Sequence, residues 1–169
     1  TIIELVKKIV LNACGVKSLG GLKLFLESFD FFSKTDSKIF VLYSEIEFYK
    51  DLNNQFYENP RVKFYKTTNK RYLHPFLNYF LPNKIVEEIN NSDAIIHFGN
   101  FGFKTLKKSF VLIQNILPLV KRGIRNSILK VLINRSMTFS NFILIQLDHL
   151  KEEIDKKFHS KIIQIGKTT

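Results

Sequence analysis

The chain has 169 residues, 45% hydrophobic and 24% charged, which predicts one globular domain with a buried core and excludes a disordered chain. No apolar run approaches the ~20 residues that span a bilayer, and the first residues lack the features of a signal peptide. The net charge of +11 predicts an anionic partner, namely nucleic acid, an acidic lipid surface or a phosphorylated small molecule.

Cysteine and histidine usage limits the chemistry further. A single cysteine, Cys14, excludes an internal disulfide framework and predicts a reducing, cytoplasmic location. The four histidines are scattered without metal-ligand spacing, so we expect neither a metal site nor a cofactor; they are His74, His97, His149 and His159.

The first predicted elements are a strand over residues 8–12 and a helix over residues 21–33. A turn of small and polar residues joins them and ends in Gly20 and Gly21. The helix carries apolar residues at i, i+3, i+4 and i+7, so the segment begins a βαβ unit. The two glycines have two interpretations. They let an anion approach the start of the helix, or they form a tight turn that lets helix and strand pack.

Further apolar runs alternate with helical patterns along the chain. Strands are predicted at residues 38–44, 61–65, 93–98, 110–114, 142–145 and 161–165, and helices at 45–54, in parts of 69–91, at 116–135 and at 147–158. This alternation is typical of an α/β fold, a doubly wound, mostly parallel Rossmann-like sheet with helices on both faces. Residues 1–166 form one predicted domain, and residues 167–169 begin a linker.

In such a sheet, ligands bind beyond the carboxyl ends of the strands, near the point where the strand order reverses. The loops at residues 14–21, 97–103 and 115–121 follow predicted strands and are expected to line one crevice. Their candidate ligand-binding residues are Lys17, Ser18, Gly20, Gly21, His97, Asn100 and Asn115. Ordinary turn chemistry for the asparagines and a structural role for His97 are the competing interpretations.

Two segments combine basic with apolar or aromatic residues, as interfacial segments on anionic membranes do. The first segment is residues 70–84, and the second is the predicted helix at 116–135, where basic residues flank an apolar stripe of Val120, Ile124, Ile128 and Val131. The candidate membrane-facing residues are Lys70, Arg71, Tyr72, Phe76, Tyr79, Phe80, Lys121, Arg122 and Arg125. A solvated helix face over an ordinary core is the alternative.

Four stretches, in this order, resemble the N-terminal domain of family 4 glycosyltransferases, which have the two-domain GT-B fold. They are KIVLNACGVKSLGGLKLFLESF, SDAIIHFGNFG, FVLIQNILPL and FILIQLDHLKEEIDKKFHSKIIQIG, and they span residues 8–166. The first resembles the family's opening strand, Gly-Gly loop and helix. The last resembles the strand, helix and strand that precede the interdomain linker.

The resemblance implies a hexosyltransferase-type enzyme of bacterial polysaccharide biosynthesis. Such an enzyme transfers a sugar from a nucleotide-sugar donor to a surface-glycan or lipid-linked acceptor, usually with retention, and works at the inner face of a membrane. Gly20, Gly21, Lys17 and Ser18 would then contact the donor diphosphate or the acceptor. The family's donor-binding C-terminal domain is absent from this sequence, so the chain would be half an enzyme, inactive alone.

The resemblance departs at the fifth strand, where many family members carry a histidine that contacts the reacting sugar. Gln114 and Asn115 stand there in this chain. An asparagine can hydrogen-bond a hydroxyl but cannot carry a proton at neutral pH. A retaining mechanism assisted by the donor needs no protein base on the acceptor, so the departure is compatible with transfer.

Two other functions stay open. The chain could be a non-catalytic, membrane-recruiting subunit that completes a split GT-B enzyme with a separate donor-binding chain. A nucleic-acid-binding domain is the remote alternative, suggested by charge alone. No recognition motif accompanies that charge, and we expect no nucleic acid among its partners.

Overall fold

The computed structural model describes residues 7–16, 19–44, 52, 54, 59–68, 70–115 and 117–165, without the side chains of Leu19 and Arg71. The strands are β1 Lys8–Asn12, β2 Lys38–Tyr43, β3 Val62–Lys66, β4 Ala94–His97, β5 Lys108–Ile113, β6 Phe142–Ile145 and β7 Ile162–Gln164. The α-helices are α1 Leu19–Ser33, α2 Asn83–Asn90, α3 Leu117–Val120, α4 Ile124–Phe139 and α5 Asp148–Glu153, and two 3₁₀ helices are η1 Arg71–Tyr79 and η2 Lys156–Lys161.

The strands form one sheet in the order β3-β2-β1-β4-β5-β6-β7, and each neighbouring pair is parallel. The predicted α/β, doubly wound architecture is therefore confirmed. Its central strands are continuous apolar runs such as KIFVLY in β2, because both faces of a parallel sheet are covered. The chain runs outward in both directions from β1 and β4, so the strand order reverses between these two strands.

Alternate residues of β1 face two different helical layers, as the pleat of a strand requires. Leu11 packs with Phe25 of α1 on one face. Val10 packs on the other face with Leu77 of η1 and Ile89 of α2. Both β1 residues are fully buried, so β1 lies at the centre of the core.

The other half of the sheet packs against α4 and the C-terminal helices. Val111 of β5 and Ile143 of β6 contact a cluster that includes Ile133 and Met137 of α4 and Phe158 of η2. All five side chains are buried, so this half of the sheet holds a second apolar core.

The predicted helix at 116–135 was wrong in its extent. Gly123, with φ +127°, separates α3 from α4, and α4 continues to Phe139. Its buried residues are Leu129, Leu132, Ile133, Ser136 and Met137. The stripe of Val120, Ile124, Ile128 and Val131 is exposed. The helix has two apolar stripes, and the richer one faces the sheet.

The single predicted helix at 147–158 is also wrong. The chain leaves α5 at Ile154, whose ψ of 134° is extended. Asp155 then begins η2, because its carboxylate accepts a hydrogen bond from the Lys157 backbone N–H at 3.1 Å. The periodic residues Leu150, Ile154 and Phe158 are nevertheless buried, as their spacing indicated.

The Gly-Gly pair belongs to α1 rather than to a preceding turn. The helix begins at Leu19, so Gly20 and Gly21 lie in its first turn. A Cβ atom added to Gly20 would meet no atom within 4 Å. Packing therefore does not require a glycine there. The predicted helix at 45–54 falls almost entirely outside the described residues.

Candidate functional site

The loops that follow β1, β4 and β5 meet at the centre of the sheet. β4 lies between β1 and β5, so the carboxyl ends of the three strands are neighbours. The reversal of strand order falls between β1 and β4, and the connections leaving these strands diverge there. The three loops predicted to line one crevice therefore emerge side by side.

The β1 and β4 loops touch backbone to backbone through Gly15 and Gly99. A Cβ atom on Gly15 would lie 2.8 Å from the Phe98 carbonyl oxygen, and one on Gly99 would lie 2.3 Å from the Gly15 carbonyl carbon. Gly99 also has φ +82°, a conformation that L side chains rarely adopt. Sequence reasoning missed this pair. The signal was one glycine shortly after each of the two central strands.

Asn12 and His97 form a buried hydrogen bond across β1 and β4, with Asn12 Nδ2 and His97 Nδ1 2.8 Å apart. The Asn12 Oδ1 atom accepts the Cys14 backbone N–H at 3.2 Å. Since an N–H can only donate, this bond fixes the orientation of the Asn12 amide. Nδ2 therefore donates to His97 Nδ1, and the neutral ring carries its proton on Nε2.

The His97 ring is enclosed on every side. Phe103 meets it edge-on with ring centroids 4.8 Å apart, and a Cβ on Gly102 would lie 2.8 Å from His97 Cδ2. Burial lowers the pKa of His97 from its ordinary 6.5 to about 3, so the imidazole is neutral at physiological pH. Its buried Nε2–H has no acceptor among the described residues. The imidazole cannot act as a phosphate-binding cation.

Asn100 joins the β4 loop to the end of β5. Its Nδ2 donates to the Asn115 carbonyl oxygen at 2.7 Å, and its Oδ1 accepts the Gln114 backbone N–H at 2.7 Å. Its φ of +73° lies in the left-handed region, which asparagine tolerates better than most residues. The side chain is buried and used by the protein itself. Asn100 therefore holds the β4 loop against the segment that follows β5.

The remaining residues predicted to line the crevice differ in exposure. Asn115 is exposed, and its Oδ1 accepts the Leu117 backbone N–H at 3.0 Å. Gly20 is exposed in the first turn of α1, whereas Gly21 is buried. Lys17 and Ser18 lie outside the described residues. Cys14 is fully buried, and this burial raises the pKa of its thiol to about 12 and makes it unreactive.

A second candidate surface is the outer face of α3 and α4, here called the α4 stripe. Its apolar members are Leu117, Val120, Ile124, Ile128 and Val131, each at least 43% exposed, and Ile124 reaches 85%. Lys121, Arg122 and Arg125 are exposed beside them. The sequence has no acidic residue between Asp93 and Asp148. The α4 stripe therefore combines apolar and positively charged groups.

The aromatic segment around η1 is divided between surface and core. Tyr72, Tyr79 and Phe80 are large exposed side chains, and Lys70 is exposed before them. Phe76 instead packs inward, with the Arg135 guanidinium 4.5 Å from its ring centroid. The side chain of Arg71 is outside the described residues.

The described residues offer neither a metal-binding cluster nor a membrane-spanning helix. No group of three or more histidine, cysteine, aspartate or glutamate side chains there is arranged to hold a metal ion. Within the same part of the chain, no helix is both long and apolar enough to cross a membrane.

Comparison with known proteins gives structural neighbours only. No protein-family model and no curated protein sequence matches the chain. HepE from Anabaena, crystallised in complex with UDP and glucose, superposes over 94% of this chain with a TM-score of 0.58 and 15% identity. LpCGTa, crystallised in complex with UDP, superposes over 95% with a TM-score of 0.52 and 11% identity. The chain spans 44% and 52% of these two proteins. At these identities the similarity shows a shared fold.

Proposed function

We propose that this chain is the N-terminal, acceptor-side half of a GT-B glycosyltransferase. The observation that carries the proposal is the superposition of nearly the whole chain on part of HepE, a protein crystallised with UDP and glucose. The reversal of strand order between β1 and β4 supports it, because ligands of doubly wound sheets bind there. The chain spans about half of each neighbour, so a donor-binding half is needed to complete the enzyme.

In this proposal, the crevice binds the donor diphosphate or the acceptor beside the first turn of α1. The dipole of α1 favours an anion at this end of the helix. The open space around Gly20 leaves room for a ligand group. Lys17 and Ser18 precede this turn in the sequence and add a charge and a hydroxyl. Asn115 contributes a rim amide for a sugar hydroxyl.

The proposed reaction transfers a hexosyl group with retention. The acceptor hydroxyl oxygen bonds to the anomeric carbon while the bond from that carbon to the diphosphate oxygen breaks. The nucleoside diphosphate leaves with the electron pair and takes the acceptor proton. His97 is not assigned as the base, because it is buried and its Nδ1 already accepts from Asn12. Its part is to hold the β1 and β4 loops together.

The α4 stripe supports a peripheral location on the cytoplasmic face of an inner membrane. Its aliphatic side chains would enter the headgroup region while Lys121, Arg122 and Arg125 pair with anionic lipids. Such a surface suits an enzyme whose acceptor is lipid-linked. The exposed Tyr72, Tyr79 and Phe80 are candidates for the same role.

A non-catalytic, membrane-recruiting subunit is the second candidate, favoured by the same α4 stripe. It predicts vesicle binding without nucleotide-sugar binding, and co-purification with a separate donor-binding chain. A nucleic-acid-binding role has less support, because the α4 cations flank aliphatic residues rather than aromatic stacking platforms. Saturable, steeply salt-dependent DNA binding with no response to UDP-glucose would favour it.

Calorimetric titration with UDP-glucose tests the proposal. Gly20→Phe is the informative variant, because a Cβ there meets no atom within 4 Å and the phenyl ring would occupy space that the proposal assigns to the ligand. Thr138→Phe is the matched control, an exposed position near the end of α4. We expect weak binding by the parent chain and by Thr138→Phe, and loss of binding in Gly20→Phe. Equal binding by all three would contradict the assigned crevice.

A further inference from the structure

A cavity of about 400 Å³ lies at the opposite edge of the sheet from the crevice. It sits at the amino ends of β1, β2 and β3, and its lining residues are Lys8, Lys38, Ile39, Phe40, Pro60, Arg61, Lys63 and Glu88. We call it the basal cavity. Its volume falls within the usual range of small-molecule sites, roughly 300–1,000 Å³.

Lysines from three adjacent strands project into the basal cavity from one face of the sheet. Lys8 and Lys38 are register partners on β1 and β2, and Lys63 on β3 is the register partner of Phe40. Like charges on neighbouring strands repel one another and destabilise a sheet. The arrangement therefore calls for a compensating negative charge.

Glu88 of α2 supplies part of that compensation. Its two oxygens bind Lys8 Nζ at 2.5 Å and Lys63 Nζ at 2.9 Å. Hydrogen bonds from these lysines lower the pKa of Glu88 to about 2, so the carboxylate stays charged. No acidic side chain among the described residues pairs with Lys38, and Arg61 adds a fourth cation. Arg61 Nη1 lies 3.4 Å from the exposed Asp36 carboxylate, so Glu88 and Asp36 offset two of the four cations and two positive charges remain uncompensated.

We propose that the basal cavity binds a small soluble anion carrying phosphate. Lys8 and Lys63 reach the same Glu88 carboxylate although β2 lies between their strands, so the cations of the cavity converge. A phosphate group presents several oxygens and can accept charge-assisted hydrogen bonds from more than one of these cations. None of the lining residues is a large exposed hydrophobic side chain, which favours a free anion over a lipid headgroup.

Inorganic pyrophosphate, titrated calorimetrically into the full chain, is the direct probe. Lys38→Gln removes a cavity charge without touching either ion pair of Glu88, so the fold is kept. Lys151→Gln is the matched control, removing an exposed charge from α5 beyond the other half of the sheet. We expect about tenfold weaker binding in Lys38→Gln and unchanged binding in Lys151→Gln. Binding that is absent, or equally affected in both variants, would overturn the proposal.

Amide NMR spectra recorded during the same titration locate the anion. Chemical-shift changes at Lys38, Arg61 and Lys63 support the basal cavity as the binding site. Changes confined to the β1 and β4 loops assign the anion to the crevice and overturn the basal-cavity proposal.

Vesicles that contain phosphatidic acid present the same phosphate chemistry on a lipid headgroup. If Lys38→Gln weakens vesicle binding but not pyrophosphate binding, the free-anion proposal is wrong. The glycosyltransferase proposal is unaffected by either result, since its ligand is tested separately with UDP-glucose.

Discussion

Asn12 of β1 and His97 of β4 hydrogen-bond at 2.8 Å where the strand order of the sheet reverses. Both side chains are fully buried, and Cys14 fixes the Asn12 amide from the other side. This pair connects the ends of the two strands whose following loops are proposed to line the crevice. The first two predictions concern its energetics.

Replacing Asn12 by leucine should lower the free energy of unfolding by about 1–3 kcal/mol, because the buried His97 Nδ1 and Cys14 N–H each lose a partner. Urea denaturation measures the loss. His97→Phe and the double variant complete a double-mutant cycle. Strict additivity of the two single effects would contradict the coupling that the geometry implies.

Acid should destabilise the fold through His97. The pKa of His97 is about 3 in the folded protein, against an ordinary 6.5, because burial penalises the charged ring. The unfolded chain therefore binds the proton first, and the His97 contribution to stability, complete above pH 6.5, falls as the pH drops towards 3. Between pH 7 and pH 5 this loss should be about 2 kcal/mol.

The control for this pH dependence is His97→Phe, measured by urea denaturation at the same pH values. It retains every other titratable group, so the difference between the two proteins isolates His97. Parallel stability curves would show that His97 does not carry the effect.

Gly99→Ala should destabilise the fold by at least about 2 kcal/mol, because the new Cβ would lie 2.3 Å from the Gly15 carbonyl and φ is +82°. Gly20→Ala is the matched control in open space. It should leave stability unchanged or raise it by up to about 1 kcal/mol, as alanine favours a helix. Thermal unfolding of both variants checks the contrast. Similar losses in the two would argue against a special contact between the loops.

Arg122→Gln with Arg125→Gln should weaken binding to anionic vesicles about 30-fold, since each charge near such a surface contributes about 1 kcal/mol. Sedimentation with phosphatidylglycerol vesicles provides the measurement. Lys23→Gln with Lys34→Gln removes equal charge from α1 on the opposite face of the sheet. Equal weakening by both pairs would mean that net charge alone attracts the protein and that the α4 stripe has no special role.

The strands could be predicted from sequence because buried parallel strands are short apolar runs between breaks. β1 and β6 match their predicted bounds, and the other strands shift by one or two residues at their ends. Their alternation with helical patterns also predicted the doubly wound sheet. The alternation predicts the architecture because each pair of successive parallel strands needs a long crossover connection, which is usually a helix.

The buried face of α4 could not be predicted, because both of its stripes have helical spacing. Periodicity identifies apolar faces but not which one meets the sheet. The break at Gly123 depends on a backbone conformation, φ +127°, that the sequence permits without requiring.

The sequence predicted Gly20 and Gly21 as ligand-binding residues because two adjacent glycines stand out at the start of a helix. The glycines that pack the two central loops together are Gly15 and Gly99, which are 84 residues apart. Similarly, the functions of Asn12 and Asn100 depend on partners in distant segments. Only the strand order brings those partners together.

The central claim is that a nucleotide sugar binds where β1, β4 and β5 end. Amide NMR chemical-shift mapping during titration with UDP-glucose tests this claim most directly. The account predicts the largest shifts in residues 13–22, 98–102 and 114–117. An absence of shifts in these three segments would contradict it, whether or not the basal cavity at Lys38 and Arg61 responds.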